Sequence, residues 1–124
     1  MNPSDKLNSL VASGVIWNGG VFEPKHAKIA ASSSGDNEVV AAPASGYMHI
    51  VLAYMFVTAA AVTTTWKSGA TEITGGMTFD AKSGTNAPLN QLGWFKTASA
   101  QALNLNLSGA IGVNGHLTYI TVPV

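Results

Sequence analysis

Residues Tyr47 to Val57 constrain this chain more than any other stretch. Side chains alternate between the two faces of a β-strand. Met48, Ile50, Leu52, Tyr54 and Phe56 then share one face, and Tyr47, His49, Val51, Ala53, Met55 and Val57 share the other. Both faces are largely apolar. In a parallel α/β sheet, helices would cover such a strand on both sides, but this sequence has no long amphipathic helical pattern to supply them. One face must therefore form the core of a β-sandwich. The other needs a second cover, from the N-terminal segment or from another subunit. The apolar stretch Ile50 to Val62 is broken by Thr58 and is shorter than the ~18 residues of a membrane helix.

The rest of the chain reads as short β-prone runs between turns, with 13 glycines as punctuation. Ala27, Ile29 and Ala31 alternate with His26, Lys28 and Ala30. Ser32 to Asn37 is a turn, and Val39 to Ala42 is a strand that Pro43 ends. Val62 and Trp66 face away from Thr63 and Thr65, and Lys67-Ser68-Gly69 turns. Met77 and Phe79 share a face, and Ala81 to Asn90 reads as a long loop. Leu103, Leu105 and Leu107 point inward while Asn104 and Asn106 point outward, and His116 to Val122 closes the fold. The expectation is an all-β chain: one jelly-roll-like antiparallel β-sandwich of about eight strands over 25–124, with an N-terminal arm over 1–24. An immunoglobulin-like sandwich is the alternative, without the buried Cys pair of antibody domains. In the arm, Lys6 to Val11 is compatible with one helical turn, and Asn18-Gly19-Gly20 turns between Val15-Ile16-Trp17 and Val21-Phe22. Trp17 and Phe22 need a dry surface, on their own domain or on a neighbouring subunit.

Charge narrows the function. Only 10% of residues are charged, the cations are six lysines with no arginine, and the formal net charge is zero. A nucleic-acid partner calls for a basic patch and arginine forks, so none is expected. Protein surfaces usually carry about 25–35% charge, so part of this surface is expected to lie under other protein. The chain has no cysteine, which excludes disulfides, thiolate catalysis and zinc–thiolate sites. Met1 to Lys6 does not lead into a hydrophobic signal core; the expectation is a soluble protein without a secretory signal, and no membrane partner.

No enzymatic constellation stands out. His26, His49 and His116 lack metal-ligand spacing, and no metal or cofactor is expected. Asp5, Glu23, Asp36, Glu38, Glu72 and Asp80 mostly flank turns, which suits neither a glycosidase pair nor an EF-hand. The glycines of Gly109 to Gly115 read as a turn with positive-φ positions between strands, since a dinucleotide loop would open a helix. Trp66, Trp94, Phe95 and Tyr119 are either core residues or a sugar-stacking platform.

From about His26 to Val122 the chain resembles the small β-sandwich virion proteins of tailed bacteriophages, especially head (capsid) decoration proteins. The residues that carry the resemblance are Ile29 to Asn37, the hydrophobic strand Gly46 to Phe56, Trp66 to Gly75, Trp94-Phe95-Lys96-Thr97, Leu103 to Ser108 and Val113-Asn114-Gly115. The resemblance implies a jelly-roll-like fold, a homotrimer, and attachment to the major capsid protein on the outer surface of the virion head. It implies no catalytic residues. Trp17, Phe22, Tyr47, His49, Val51 and Met55 are the residues expected at the subunit or capsid interface. The alternative is a carbohydrate- or receptor-binding module of a phage fibre or tail, with Trp66, Trp94 and Tyr119 stacking on sugar.

Overall fold

The computed structural model describes residues 15–17 and 19–124. The helical turn read at Lys6 to Val11 lies outside the described residues. Two short strands, β1 (Val15–Trp17) and β2 (Gly20–Phe22), form an antiparallel hairpin. Ten strands follow: β3 (Lys25–Ala31), β4 (Gly35–Val40), β5 (Tyr47–Thr58), β6 (Val62–Ser68), β7 (Thr71–Glu72), β8 (Met77–Phe79), β9 (Gly84–Ala87), β10 (Phe95–Lys96), β11 (Leu103–Leu107) and β12 (Val113–Pro123). They build two antiparallel sheets. Sheet I runs β10-β5-β12-β3 with β9 also on β5, and sheet II runs β4-β11-β6-β7 with β8 also on β6.

The strand count exceeds eight because two edges are interrupted. β9 and β10 occupy successive stretches of the same side of β5, and β7 and β8 do the same along β6. β9 lies inside the stretch read above as loop 81–90. Its residues Gly84-Thr85-Asn86-Ala87 carry little strand propensity, and pairing with Tyr54 to Val57 holds them extended. The pairings are nested: β3 with β12, β4 with β11, β5 with β9 and β10, β6 with β7 and β8.

The inward faces of the two sheets make one core. Ile29, Ala31, Val51, Phe56, Val113 and Leu117 of sheet I meet Val40, Val62, Trp66, Leu103, Leu105 and Leu107 of sheet II. Aromatic rings fill its centre: Trp66 packs edge-on to Tyr54 at 5.4 Å between centroids, and Phe56 packs edge-on to Phe79 at 5.3 Å. Such pairs add about 0.5–1.5 kcal/mol each beyond burial.

The simple alternation read along β5 fails at its middle. Ala53 pairs with Thr118 but Val51 pairs with Tyr119, so Leu52 is an extra residue in the ladder. This β-bulge shifts the phase of the strand. Tyr54 and Phe56 point into the sandwich core, and so does Val51, whereas Met48, Ile50 and Leu52 point out the other side. There they join Ile120 and Val122 of β12 in a second buried cluster, packed against Trp17 and Phe22 of the hairpin.

Gly115 shows why glycine stands in β12. A Cβ there would come within 1.9 Å of the Met55 carbonyl oxygen and 2.6 Å of Phe56 Cα. Residues 108–112 do connect β11 to β12, but within 109–115 no glycine has positive φ, which corrects that part of the reading: Gly115 lies inside a strand and serves close backbone approach. Gly115→Ala is therefore expected to cost about 1–3 kcal/mol, while Gly75→Ala, where an added Cβ meets nothing within 4 Å, stays within about 0.5 kcal/mol. Urea unfolding of the two variants checks this.

Candidate interaction surface

The outer face of sheet I is divided in two. Over Met48, Ile50 and Leu52 the hairpin covers it, and Trp17 and Phe22 supply the cover. Beyond Leu52 the same face stays open. Met55 is 40% exposed and Val57 is 55% exposed. Along this edge the segment 88–94 adds Leu89, Leu92 and Trp94, all exposed.

Backbone hydrogen bonds fix that segment to β5. Asn90 N–H donates to the Leu52 carbonyl at 2.8 Å, and Trp94 N–H donates to the Val51 carbonyl at 2.8 Å. Asn90 also accepts from Leu92 N–H through its side-chain oxygen at 3.0 Å. Gly93, with φ of 86°, sits where a Cβ would meet Ile50 Cγ2 at 2.4 Å. The Trp94 indole N–H donates to the Pro88 carbonyl at 2.8 Å, which holds the ring on the surface. Leu89 and Met55 line one shallow concavity of about 180 Å³, together with Ala53, Pro88, His116 and Thr118. Leu92 and Trp17 line another of about 160 Å³ above Ile50 and Phe95.

From these exposures, Met55, Val57, Leu89, Leu92 and Trp94 leave apolar area on the order of 500 Å² open to solvent. That total lies within the range of the largest apolar patch on a typical monomer, about 300–600 Å², which is often functional. It is less than the ~800 Å² per partner of a standard interface, so polar groups around it must complete any contact.

The six residues expected at an interface separate into three groups. Trp17 and Phe22 lie on the chain's own second cluster. Tyr47 and Met55 are exposed. Val51 and His49 are corrections: Val51 is wholly buried and His49 is 4% exposed, because the bulge turns both toward the sandwich interior. Neither presents a side chain to a partner. The sugar platform is not assembled either. Trp66 is wholly buried, Tyr119 is half-buried edge-on to His49 at 5.2 Å, and Trp94 stands on the β10 side of sheet I. The residues that sequence reasoning missed are Leu89 and Leu92. They sit between Pro88 and Gly93 without strand periodicity, and no local signal marked them as a surface patch.

His49 ties the two sheets together. Its Nε2 lies 2.8 Å from the Ala41 carbonyl, just past β4, and its Nδ1 lies 2.9 Å from Thr121 Oγ1 on β12. A carbonyl only accepts, so Nε2 carries the proton and Nδ1 accepts from the Thr121 hydroxyl. Burial lowers the imidazole pKa below its ordinary value; the nearby Lys25 charge adds to this, and the Ala41 hydrogen bond opposes it. On sheet II, Asp36 has a lowered pKa because the Asn106 amide donates to it at 2.8 Å and Lys67 pairs with it at 3.0 Å. Among the described residues no group of three or more His, Cys, Asp or Glu side chains is placed to hold a metal ion.

Fold and surface together define a two-sheet antiparallel β-sandwich with an open apolar band beside a covered one. Compared with known proteins, the chain matches no family model, no curated protein and no solved structure.

The sign of the His49 effect follows from linkage. Below about pH 6.5 the unfolded chain takes up a proton that folded His49 resists. The unfolded state then binds more protons, so stability falls as pH drops from about 6.5 toward the folded-state pKa. Asp36 contributes in the same direction only near and below pH 4, outside a scan from pH 8 to 5. In chemical denaturation across that scan, wild type is expected to lose stability toward pH 5, and His49→Gln is expected to show a smaller slope. Equal slopes would contradict the assignment.

Proposed function

We propose that this chain is a virion protein of a tailed bacteriophage, a decoration protein that trimerises and binds the outer surface of the head, stabilising the particle. The observation that carries the reading is the open half of the outer face of sheet I. Its exposed Met55, Val57, Leu89, Leu92 and Trp94 belong to a chain in which only 10% of residues are charged. A patch of this size on a monomer is often functional, and a protein cover withdraws it from water. The resemblance of the His26-to-Val122 stretch to head decoration proteins supplies the identity of that cover: the major capsid protein, with further copies of this chain beside it.

The topology supports the same reading. Counting each interrupted edge as one strand leaves four positions per sheet, and their partners nest first with last, second with seventh, third with sixth, fourth with fifth. A long hairpin rolled into two sheets has this order, which is the jelly roll of many capsid domains.

Cementing a head needs no chemistry. A protein that binds the assembled lattice and not its dissociated subunits stabilises the lattice by mass action. A trimer engages several lattice subunits at once, so modest individual contacts combine through effective concentration. Purified chain added to heads that lack it is expected to bind saturably and to raise the temperature at which the heads come apart. A chain that leaves such heads bare, with their disruption temperature unchanged, would overturn the reading.

A further inference from the structure

The two outer faces of the sandwich carry opposite charge. On sheet I, Lys28 sits between Ala27 and Ile29, which turn inward to the core, so its side chain points outward. Lys96 pairs with Ile50, which faces the hairpin, so it shares that outer face. Exposed His26 and His116 stand there too, with His116 directly opposite Lys28. Among the described residues no carboxylate side chain points outward from the strands of sheet I; Glu23 lies in the connection ahead of β3.

Sheet II is the reverse. Leu103, Leu105 and Leu107 point into the core, so Asn104 and Asn106 face outward, and Glu38 and Asp36 are their partners on β4. Lys67 and Glu72 pair on the same face. Three carboxylates against one lysine leave this face at minus two, while the two outward lysines of sheet I make its outer face plus two; Lys25, also on β3, is in phase with the inward Ala27 and Ile29. Lys67 is already engaged by Asp36 at 3.0 Å. The remaining outward groups are short and polar: Asn104 bonds to the Gly69 carbonyl, and Thr63 bonds to Thr78.

We propose that the outer face of sheet I is the docking side, that the surface it seats on is an acidic protein surface with apolar side chains among its carboxylates, and that sheet II faces solvent. This rests on the head-binding reading above and adds an orientation and a partner chemistry to it. The open apolar band lies on sheet I, not on sheet II; Lys28 stands two strands across from Met55, beyond His116, and Lys96 lines the same concavity as Leu92. Burial of Met55, Val57, Leu89, Leu92 and Trp94 supplies the affinity, while Lys28 and Lys96, at opposite edges of the sheet, steer and orient. Two separated lysines and no arginine do not make a phosphate-binding track, so the partner is protein and not nucleic acid.

The test is binding of variants of the whole chain to heads lacking it, at low and high salt. The double variant Lys28→Glu/Lys96→Glu is expected to bind at least about tenfold more weakly at low salt, with the gap narrowing as salt screens it. Val57→Asp, which changes the band without touching a lysine, is expected to weaken binding at both salt concentrations. Glu38→Lys, on the opposite face, is expected to bind as wild type does. Circular dichroism melts confirm that each variant is folded; should the lysine double variant fail to fold, Val57→Asp and Glu38→Lys decide. Wild type that binds while Glu38→Lys fails and the sheet I variants bind normally would overturn the docking face and leave the head-binding reading intact. Wild type that leaves heads bare overturns both. Displacement of bound chain by duplex DNA would overturn the assignment of the partner as protein.

Discussion

β5 is buried from two directions, and the layers around it follow from that requirement. Its inward side chains need sheet II opposite them. Its outward side chains, Met48, Ile50 and Leu52, need a third layer that a two-sheet sandwich does not provide. The hairpin of β1 and β2 provides it with two large aromatic residues, Trp17 and Phe22. Each apolar side chain withdrawn from water here contributes about 1.5–3 kcal/mol. The molecule is thus three layers deep at one end of β5 and two layers deep at the other. The boundary falls at the bulge, where Leu52 is the last outward residue under cover and Met55 lies in the open.

This arrangement links stability to the proposed function. The covered end and the open end of the outer face are built from the same kind of residue, on the same strand. One is satisfied within the chain and the other is not. The exposed band is therefore a continuation of a core with its lid missing, backed by a sheet that is itself pinned to sheet II by His49 and by the aromatic cluster around Trp66. A rigid backing of this kind would hold the proposed docking surface in one shape, so that contact need not order it.

Much of the architecture was legible in residue order. The alternation of Leu103, Leu105 and Leu107 with Asn104 and Asn106 and the two-faced character of β5 correspond to observed strands. The turns read at Ser32 to Asn37 and Lys67 to Gly69 are shorter than expected: only residues 32–34 and 69–70 connect strands, because pairing with β11 draws Gly35 to Asn37 into β4 and holds Lys67 and Ser68 in β6. The bulge at Leu52 was not legible, because an extra residue in a uniformly apolar strand leaves no mark in its pattern; the register comes from β12 across the sheet. That one shift moved His49 and Val51 from the outer face to the interior. β9 was missed because Gly84 to Ala87 are held extended by their neighbour and not by their own propensity. Leu89 and Leu92 were passed over because a surface patch is a property of the folded segment, set by bonds from Asn90 and Trp94 to β5. Charge segregation between the two faces was equally hidden, since it appears only when alternate residues of distant strands are placed on one side.

The division of the outer face into a covered and an open half is most directly tested by methionine oxidation of the free protein, read residue by residue by mass spectrometry. Exposed thioether sulfur oxidises readily, while buried sulfur is shielded. Met55, at 40% exposure, is expected to oxidise rapidly, and Met48, at 5%, to remain largely protected under the same peroxide dose. Equal oxidation rates at the two positions would contradict the account, because they would mean that the hairpin does not cover one end of β5 and leave the other bare.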